Sequence, residues 1–407
     1  MSGRADEPYR GLSRVLGIAE VTLKDQIIQD IFEHHRGFLS GEPGRPADVA
    51  RHMEGSIQLD GISEEERLLL LSILPRNAEQ LWVSDLDKGL SGSSVFSVRY
   101  SDSAGRHSKP FVVKIGALGK SDAESAATLR FAAPYLHGVE TPVVRRGEQF
   151  GLIGQELRNL TGQARPESLR MFLRNSDFGI DVVRRLLEER LDPWYSRSGA
   201  AQPLPVAGLM ADYLTKGPPD VHSVLPDGWE DLTTWVRQVA GCGWEQTADV
   251  TAGVLAGTVI TPVSIIHGDL HAQNVLVDPV SHECWPIDFA WCRESSPLLD
   301  LAMLECSLKF LAFPRRSDLR ALLEIEARLA AEPFPSLISS SIPYFPEISR
   351  IFGAILVLRS YALNNLQIPF AELRKMLLAM TYSLSRHELL NLPLVIGSLQ
   401  ILAGALR

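Results

Sequence analysis

The chain has 407 residues, 45% of them hydrophobic, and a formal net charge of −9. That length allows more than one minimal domain with sizeable cores, and the acidic balance argues against a polyanion-binding surface, so nucleic acid is not the expected partner. No run reaches the roughly eighteen apolar residues of a membrane span. The N-terminus lacks a basic-then-apolar signal, and Cys242, Cys284, Cys292 and Cys306 show no metal-ligand spacing; the expectation is a cytoplasmic protein with reduced thiols and no membrane partner.

Residues 11–39 carry helical periodicity through Leu12, Val15, Leu16, Ile27, Ile28, Ile31 and Phe32, and the stretch Gly41 to Pro46 breaks it. Ser63 with Glu64, Glu65 and Glu66 resembles a capping box before an apolar run from Leu68 to Leu74. These residues predict a helical N-terminal extension over 1–80. It reads either as a buttress on the next domain or as a docking segment for a partner protein.

From Leu81 the period becomes strand-like, and Lys88-Gly89-Leu90-Ser91-Gly92-Ser93-Ser94 interrupts it as a small-residue turn between two strands. Gly89, Ser91, Gly92, Ser93 and Ser94 would let backbone N–H groups approach phosphate oxygens. Phe111 to Gly116 is a further strand carrying Lys114, and a helix is predicted over Ser121 to Leu136 with Asp122 and Glu124 in its first turn. Val143-Val144 and Phe150 to Leu157 predict the last two strands of this region, 81–157.

Residues 158–407 are predicted to be mainly helical. Ser168 to Arg174, Asp181 to Leu191 and Leu232 to Val239 are the clearest early helices. Asp177-Phe178-Gly179 stands where an aspartate would cap a helix from Ile180. Residues 264–291 read instead as loop, strand, turn, strand, with the turn at Asp278-Pro279 and Ser281-His282. Such a hairpin brings three oxygen donors together: Asp269 and Asn274 on one loop, and Asp288 on the returning strand. An amide and one carboxylate suit the hard-oxygen shell of magnesium, which leaves Asp269 for a substrate hydroxyl. Pro297 to Ala302 contains Asp300, a candidate N-cap. Further helices are predicted over Leu319 to Ala331, Ile348 to Leu363, Phe370 to Ser383 and Leu389 to Ala405, with Met376, Met380 and Tyr382 read as core.

His267-Gly268-Asp269-Leu270-His271-Ala272-Gln273-Asn274 resembles the kinase catalytic-loop pattern His-x-Asp-x-x-x-x-Asn, and Val112-Val113-Lys114-Ile115 resembles the kinase third-strand motif. Glycine after His267, with Ile287-Asp288-Phe289, is similar to the aminoglycoside phosphotransferase and choline kinase branch of the protein-kinase-like fold. The resemblance implies a two-lobed α+β fold with a five-stranded antiparallel small lobe and a mainly helical large lobe. It also implies ATP and magnesium (Mg2+) as cofactors. Asp269 would deprotonate the acceptor hydroxyl, Asn274 and Asp288 would hold magnesium, and Lys114 would bind the α/β-phosphates. Glu124, with Asp122 as competitor, would pair with Lys114. The base would meet the backbone at Glu156 and Leu157. Asp300 would hydrogen-bond the catalytic loop.

Only twelve positions separate Asp288 from Asp300, too few for a protein-kinase activation segment, which favours a small-molecule-kinase architecture. The expected activity is transfer of the γ-phosphate to a hydroxyl of a small molecule or partner; the alternative is a catalytically weak, nucleotide-binding signalling or scaffold protein, suggested by the irregular glycine loop and Ala290. The helical preface, the loop and the Phe131-Ala132-Ala133-Pro134-Tyr135-Leu136 segment also look similar to phosphotransferase-like proteins of bacterial conflict systems.

Overall fold

Ser63 opens the first helix of the computed structural model, which describes residues 63–75, 78–86, 93–102, 104–136, 139–156, 166–214, 230–313, 318–335, 346–385 and 390–407. The expected periodicity over 11–39, Leu157, and Gly89, Ser91 and Gly92 all lie outside those residues. The capping box is present: Glu66 N–H donates to Ser63 Oγ at 3.3 Å and Ser63 N–H to the Glu66 carboxylate at 2.7 Å, satisfying two backbone donors that a helix start otherwise leaves open. Helix α1 (Glu64–Ser72) buries Leu69, Leu70 and Leu71. These leucines share a core with Phe96, Val98, Val113, Ile115 and Leu152 of the adjoining sheet. Glu65 fastens α1 further by accepting from the N–H groups of Gln149 and Phe150 at 2.8 and 3.1 Å. The described part of the N-terminal extension is thus a buttress.

The sheet is five-stranded and antiparallel, in the order β1 (Ala78–Asp85), β2 (Ser94–Asp102), β3 (Phe111–Ala117), β5 (Phe150–Glu156), β4 (Val143–Arg146). Strand β1 begins at Ala78, ahead of the expected Leu81. Helix α2 (Leu118–Ala127) leaves β3 directly and widens into a π-turn over Thr128–Ala132. It starts three residues before the expected Ser121, so Glu124 lies in its second turn and not its first.

The remainder is mainly helical. A short strand β6 (Glu167–Ser168) leads into α3 (Leu169–Asn175) and α4 (Gly179–Arg185). Phe178, not Asp177, is the N-cap of α4; Asp177 is 90% exposed and pairs with Arg350 at 2.8 Å. Beyond β7 (Gln202–Pro205) come α5 (Glu230–Ala240), α6 (Trp244–Ala256) and β8 (Thr258–Thr261), which pairs with β7. The expected hairpin is β10 (Val275–Val277) with β11 (Cys284–Pro286), and β6 pairs on the other side of β10. Strand β9 (Ser264–Ile266) pairs with β12 (Arg293–Ser295). The returning strand ends at Pro286, so Asp288 stands two residues past it.

Helix α7 (Pro297–Ser307) is buried along its whole length and packs against α9 (Pro346–Ser360) and α10 (Phe370–Leu384), while α8 (Leu319–Ala331) packs on α11 (Leu392–Ala405), which also meets α10. Met376 and Met380 are core residues, as expected, and all four cysteines are free and buried. Among the described residues no helix is long and apolar enough to cross a membrane.

Four charges are sealed inside this bundle. Glu305 on α7 takes a two-pronged pair from Arg359 on α9 at 2.6 and 3.0 Å, and Lys309 bridges Glu305 and Glu326 of α8 at 2.7 and 3.0 Å. Burial would raise the Glu305 carboxyl, but Arg359 and Lys309 reverse this and bring it down to about 2. Arg359 also donates to the Leu329 and Glu332 carbonyls. Removing it would leave two buried carboxylates, Glu305 and Glu326, to share the single ammonium of Lys309. Arg359→Met should therefore cost about 3–5 kcal/mol, read from the urea unfolding midpoint; a loss under about 1 kcal/mol would contradict this account of the core.

Candidate functional site

A cavity of about 410 Å³ lies between the sheet and the β10–β11 hairpin, within the roughly 300–1,000 Å³ typical of ligand sites. Strand alternation builds its upper wall, because Val112, Lys114, Ile153 and Gln155 all project from one face of β3 and β5. Leu276 and Ile287 supply the lower wall, with Met171 at one side. Leu86 and Val112 from the sheet and Leu276, Trp285 and Ile287 from the hairpin region form one buried apolar cluster. The cavity's apolar end is therefore shared by both parts of the chain.

At the other end Lys114 lies between two carboxylates, 2.9 Å from Glu124 Oε2 and 2.6 Å from Asp288 Oδ1. Burial alone would drive the ammonium toward deprotonation; Glu124 and Asp288 more than offset it, and the Lys114 pKa ends above its ordinary value. Glu124 is pushed up to about 7 by burial and by the negative Asp288, against the pull of Lys114. Asp122, the competitor, turns outward to Arg146 at 2.8 Å.

Asp288 has left-handed backbone angles, φ 67° and ψ 67°, a strained conformation for any residue with a Cβ and one concentrated at functional sites. Asn274 also lines the cavity. Its side-chain NH2 donates to the Asp269 carbonyl at 2.9 Å, so the amide is oriented from within the loop. Ile287 N–H donates to the Asn274 carbonyl at 2.9 Å, holding the stretch before Asp288 beside the loop. Among the described residues no three His, Cys, Asp or Glu side chains cluster as a metal site. The Asn274 and Asp288 pair is a sparser, all-oxygen donor set of the kind magnesium accepts alongside water and phosphate.

The loop from His267 to Asn274 is shaped from beneath by Asp300, which is fully buried. Its Oδ2 accepts from His267 N–H at 2.7 Å and from the Tyr195 hydroxyl at 2.7 Å, and its Oδ1 from Gly268 N–H at 2.8 Å. Burial raises its pKa despite these donors. Asp300 is not the cap of its helix; Ser296 is, accepting from Leu298 N–H at 3.1 Å. His267 links loop and hairpin. Its Nε2 faces the Ile287 carbonyl at 2.8 Å while Nδ1 faces Asp269 N–H at 3.3 Å, so the ring bridges the loop backbone and the segment before Asp288.

Asp269 itself is 29% exposed at the side chain, and burial pushes it up to about 6. His271 lies 3.8 Å from it. Burial brings His271 down to about 4, so the contact is dipolar and not an ion pair at neutral pH.

The remaining expected residues are placed differently. Ser93 is buried against Gly116, and neither Ser93 nor Ser94 is among the cavity-lining residues described. Glu156 closes β5 and lies 3.8 Å from Lys109, outside the lining, whereas its neighbour Gln155 lines the cavity. Sequence reasoning missed Gln155, although its period-two spacing from Ile153 was visible. It also missed Tyr195, far away in the chain with no motif around it.

Glycine at position 268 has a physical reason. Its φ is +81°, and a Cβ there would stand 2.3 Å from the Trp291 carbonyl oxygen. Gly268→Ala should therefore destabilise the fold by about 2 kcal/mol or more, measured by thermal or urea unfolding. An unchanged midpoint would mean the loop does not pack on Trp291 as described.

The ternary complex associated domain 9 family model matches residues 248–362, and no curated protein matches the sequence. Among solved structures, a Plasmodium vivax ethanolamine kinase is 10% identical, with 89% of this chain and 94% of that one covered at a TM-score of 0.37. Streptococcus pneumoniae choline kinase is 12% identical over 84% and 96% at 0.33. A spectinomycin phosphotransferase in complex with ADP and spectinomycin is 10% identical over 72% and 88% at 0.34.

Proposed function

We propose that the chain is an ATP- and magnesium-dependent phosphotransferase that moves the γ-phosphate to a hydroxyl of a small molecule or partner protein. The observation that carries this reading is the Lys114 ammonium, held between Glu124 and Asp288 at one end of a cavity that Asn274 also lines. In it, Lys114 binds phosphate oxygens, and Glu124 keeps the ammonium pointed into the cavity. The base rests at the cavity's apolar end, beside Val112 and Leu276, and the expected contacts at Gly89 to Gly92 and Leu157 lie outside the described residues. Asn274 and Asp288 would hold the magnesium through oxygen atoms. Bound there, the ion supplies positive charge against the phosphate oxygens as the phosphoryl group moves.

Asp269 faces the acceptor. It takes the hydroxyl proton as the acceptor oxygen bonds to the γ-phosphorus and the bond from that phosphorus to the β–γ bridging oxygen breaks, releasing the nucleoside diphosphate. Burial has moved its carboxyl up to about 6, toward the working range of a general base. In this reading residues 81–157 are the nucleotide lobe, 158–407 the catalytic lobe, and 1–80 an extension that steadies the small lobe and can meet a protein partner, in the cytoplasm. A second reading, nucleotide binding without transfer, draws on Ser93 and Ser94 standing apart from the cavity lining.

With γ-labelled ATP and a pool of hydroxyl acceptors, Asp269→Asn should lower transfer by about 10²–10⁴-fold while nucleotide affinity stays within about twofold. Wild-type turnover in that variant would remove Asp269 from the role. The pH profile gives a second check. Because the Asp269 pKa is raised from 3.8 to about 6, the carboxyl is protonated and idle below that pH and ionised above it. The acid limb of kcat/KM should therefore fall near pH 6; a profile flat down to pH 4.5 would contradict the assignment.

A further inference from the structure

Gln155 is a buried amide with no assigned work. It is 7% exposed, lines the cavity, and its Nε2 has no hydrogen-bond partner. Such a donor is costly to leave unpaired and is rare in folded proteins. Its surroundings explain the vacancy on the protein side: the residues flanking it on the cavity face, Val112 across the strand pair and Ile153 along β5, are hydrocarbon.

Position along the sheet says what could fill it. Lys114 pairs with Ile153 and Val112 with Gln155, so Gln155 lies two residues along β5 from the residue opposite Lys114, a backbone step of about 7 Å at strand rise. The step leads toward the apolar end formed by Leu86, Val112, Leu276 and Ile287. Phosphates at Lys114 would place a flat base in that slot, with its edge toward Gln155.

We propose that Gln155 reads the exocyclic group of the purine and makes the site accept adenine and guanine nucleotides alike. This rests on the phosphotransferase reading for the presence of a nucleotide. Adenine presents an amino donor where guanine presents a carbonyl acceptor. A carboxamide carries both an acceptor and a donor and exchanges them by a half-turn of its last torsion. With no partner on its nitrogen, the Gln155 amide is free to make that turn and to satisfy either base.

The test is calorimetric titration of the full chain with ADP, GDP and tripolyphosphate, each with magnesium, for wild type and Gln155→Met. The wild type should bind ADP and GDP with Kd values within about tenfold of each other. Gln155→Met should weaken both by about five- to tenfold, the equivalent of one hydrogen bond, and leave tripolyphosphate binding unchanged. A wild-type preference above about 100-fold for one purine overturns the inference even if the variant cannot be made. So do unchanged nucleotide affinities in the variant. Either result leaves the phosphotransferase reading standing; failure of all three ligands to bind the wild type overturns both.

Discussion

One ammonium between two carboxylates holds the cavity together. Lys114 is on β3, Glu124 on α2, and Asp288 just past the hairpin, so the ion pairs of 2.9 and 2.6 Å join three separately folded elements. The arrangement carries more negative than positive charge in a partly dry space, and the raised Glu124 pKa is the electrostatic consequence. A cation and a polyanion entering together would relieve it from both sides, since Asp288 gains a positive partner and Lys114 gains phosphate oxygens. That complementarity, more than any single motif, favours the phosphotransferase reading.

Beneath the cavity the organisation is equally economical. Asp300 accepts two backbone N–H groups and a tyrosine hydroxyl with its two oxygens, so a single buried carboxylate sets the path of His267 and Gly268. His267 then hands the loop on to the Ile287 carbonyl. Asp269, Asn274 and the segment before Asp288 are thereby fixed relative to one another by short hydrogen bonds within a buried scaffold, a rigidity that positioning chemistry requires.

Much of this was legible in the sequence, for reasons that differ by element. The five strands announce themselves by alternation, and the β10–β11 hairpin by its Asp-Pro turn. Lys114, Asn274 and Asp288 carry distinctive neighbours, and the structure gathers them with Glu124 at one cavity. Where local cues were read as sufficient, tertiary packing decided otherwise. Asp177 has the residue type of a cap but is drawn to Arg350, and α2 begins directly from β3 without waiting for Ser121. Asp300 makes the bonds to the loop that the motif implied, while the cap its residue type also suited is Ser296. Gln155 and Tyr195 were illegible for a different reason: a lone amide in a strand and a lone tyrosine in a helix gain meaning only from what folds against them.

The most direct measurement of the central claim is the magnesium dependence of nucleotide binding in wild type and Asp288→Ala. If Asp288 is the carboxylate that ties a metal-bound triphosphate to Lys114, magnesium should tighten ATP binding by about tenfold or more in the wild type and by less than about twofold in the variant. Equal tightening in both proteins, or none in the wild type, would contradict the account.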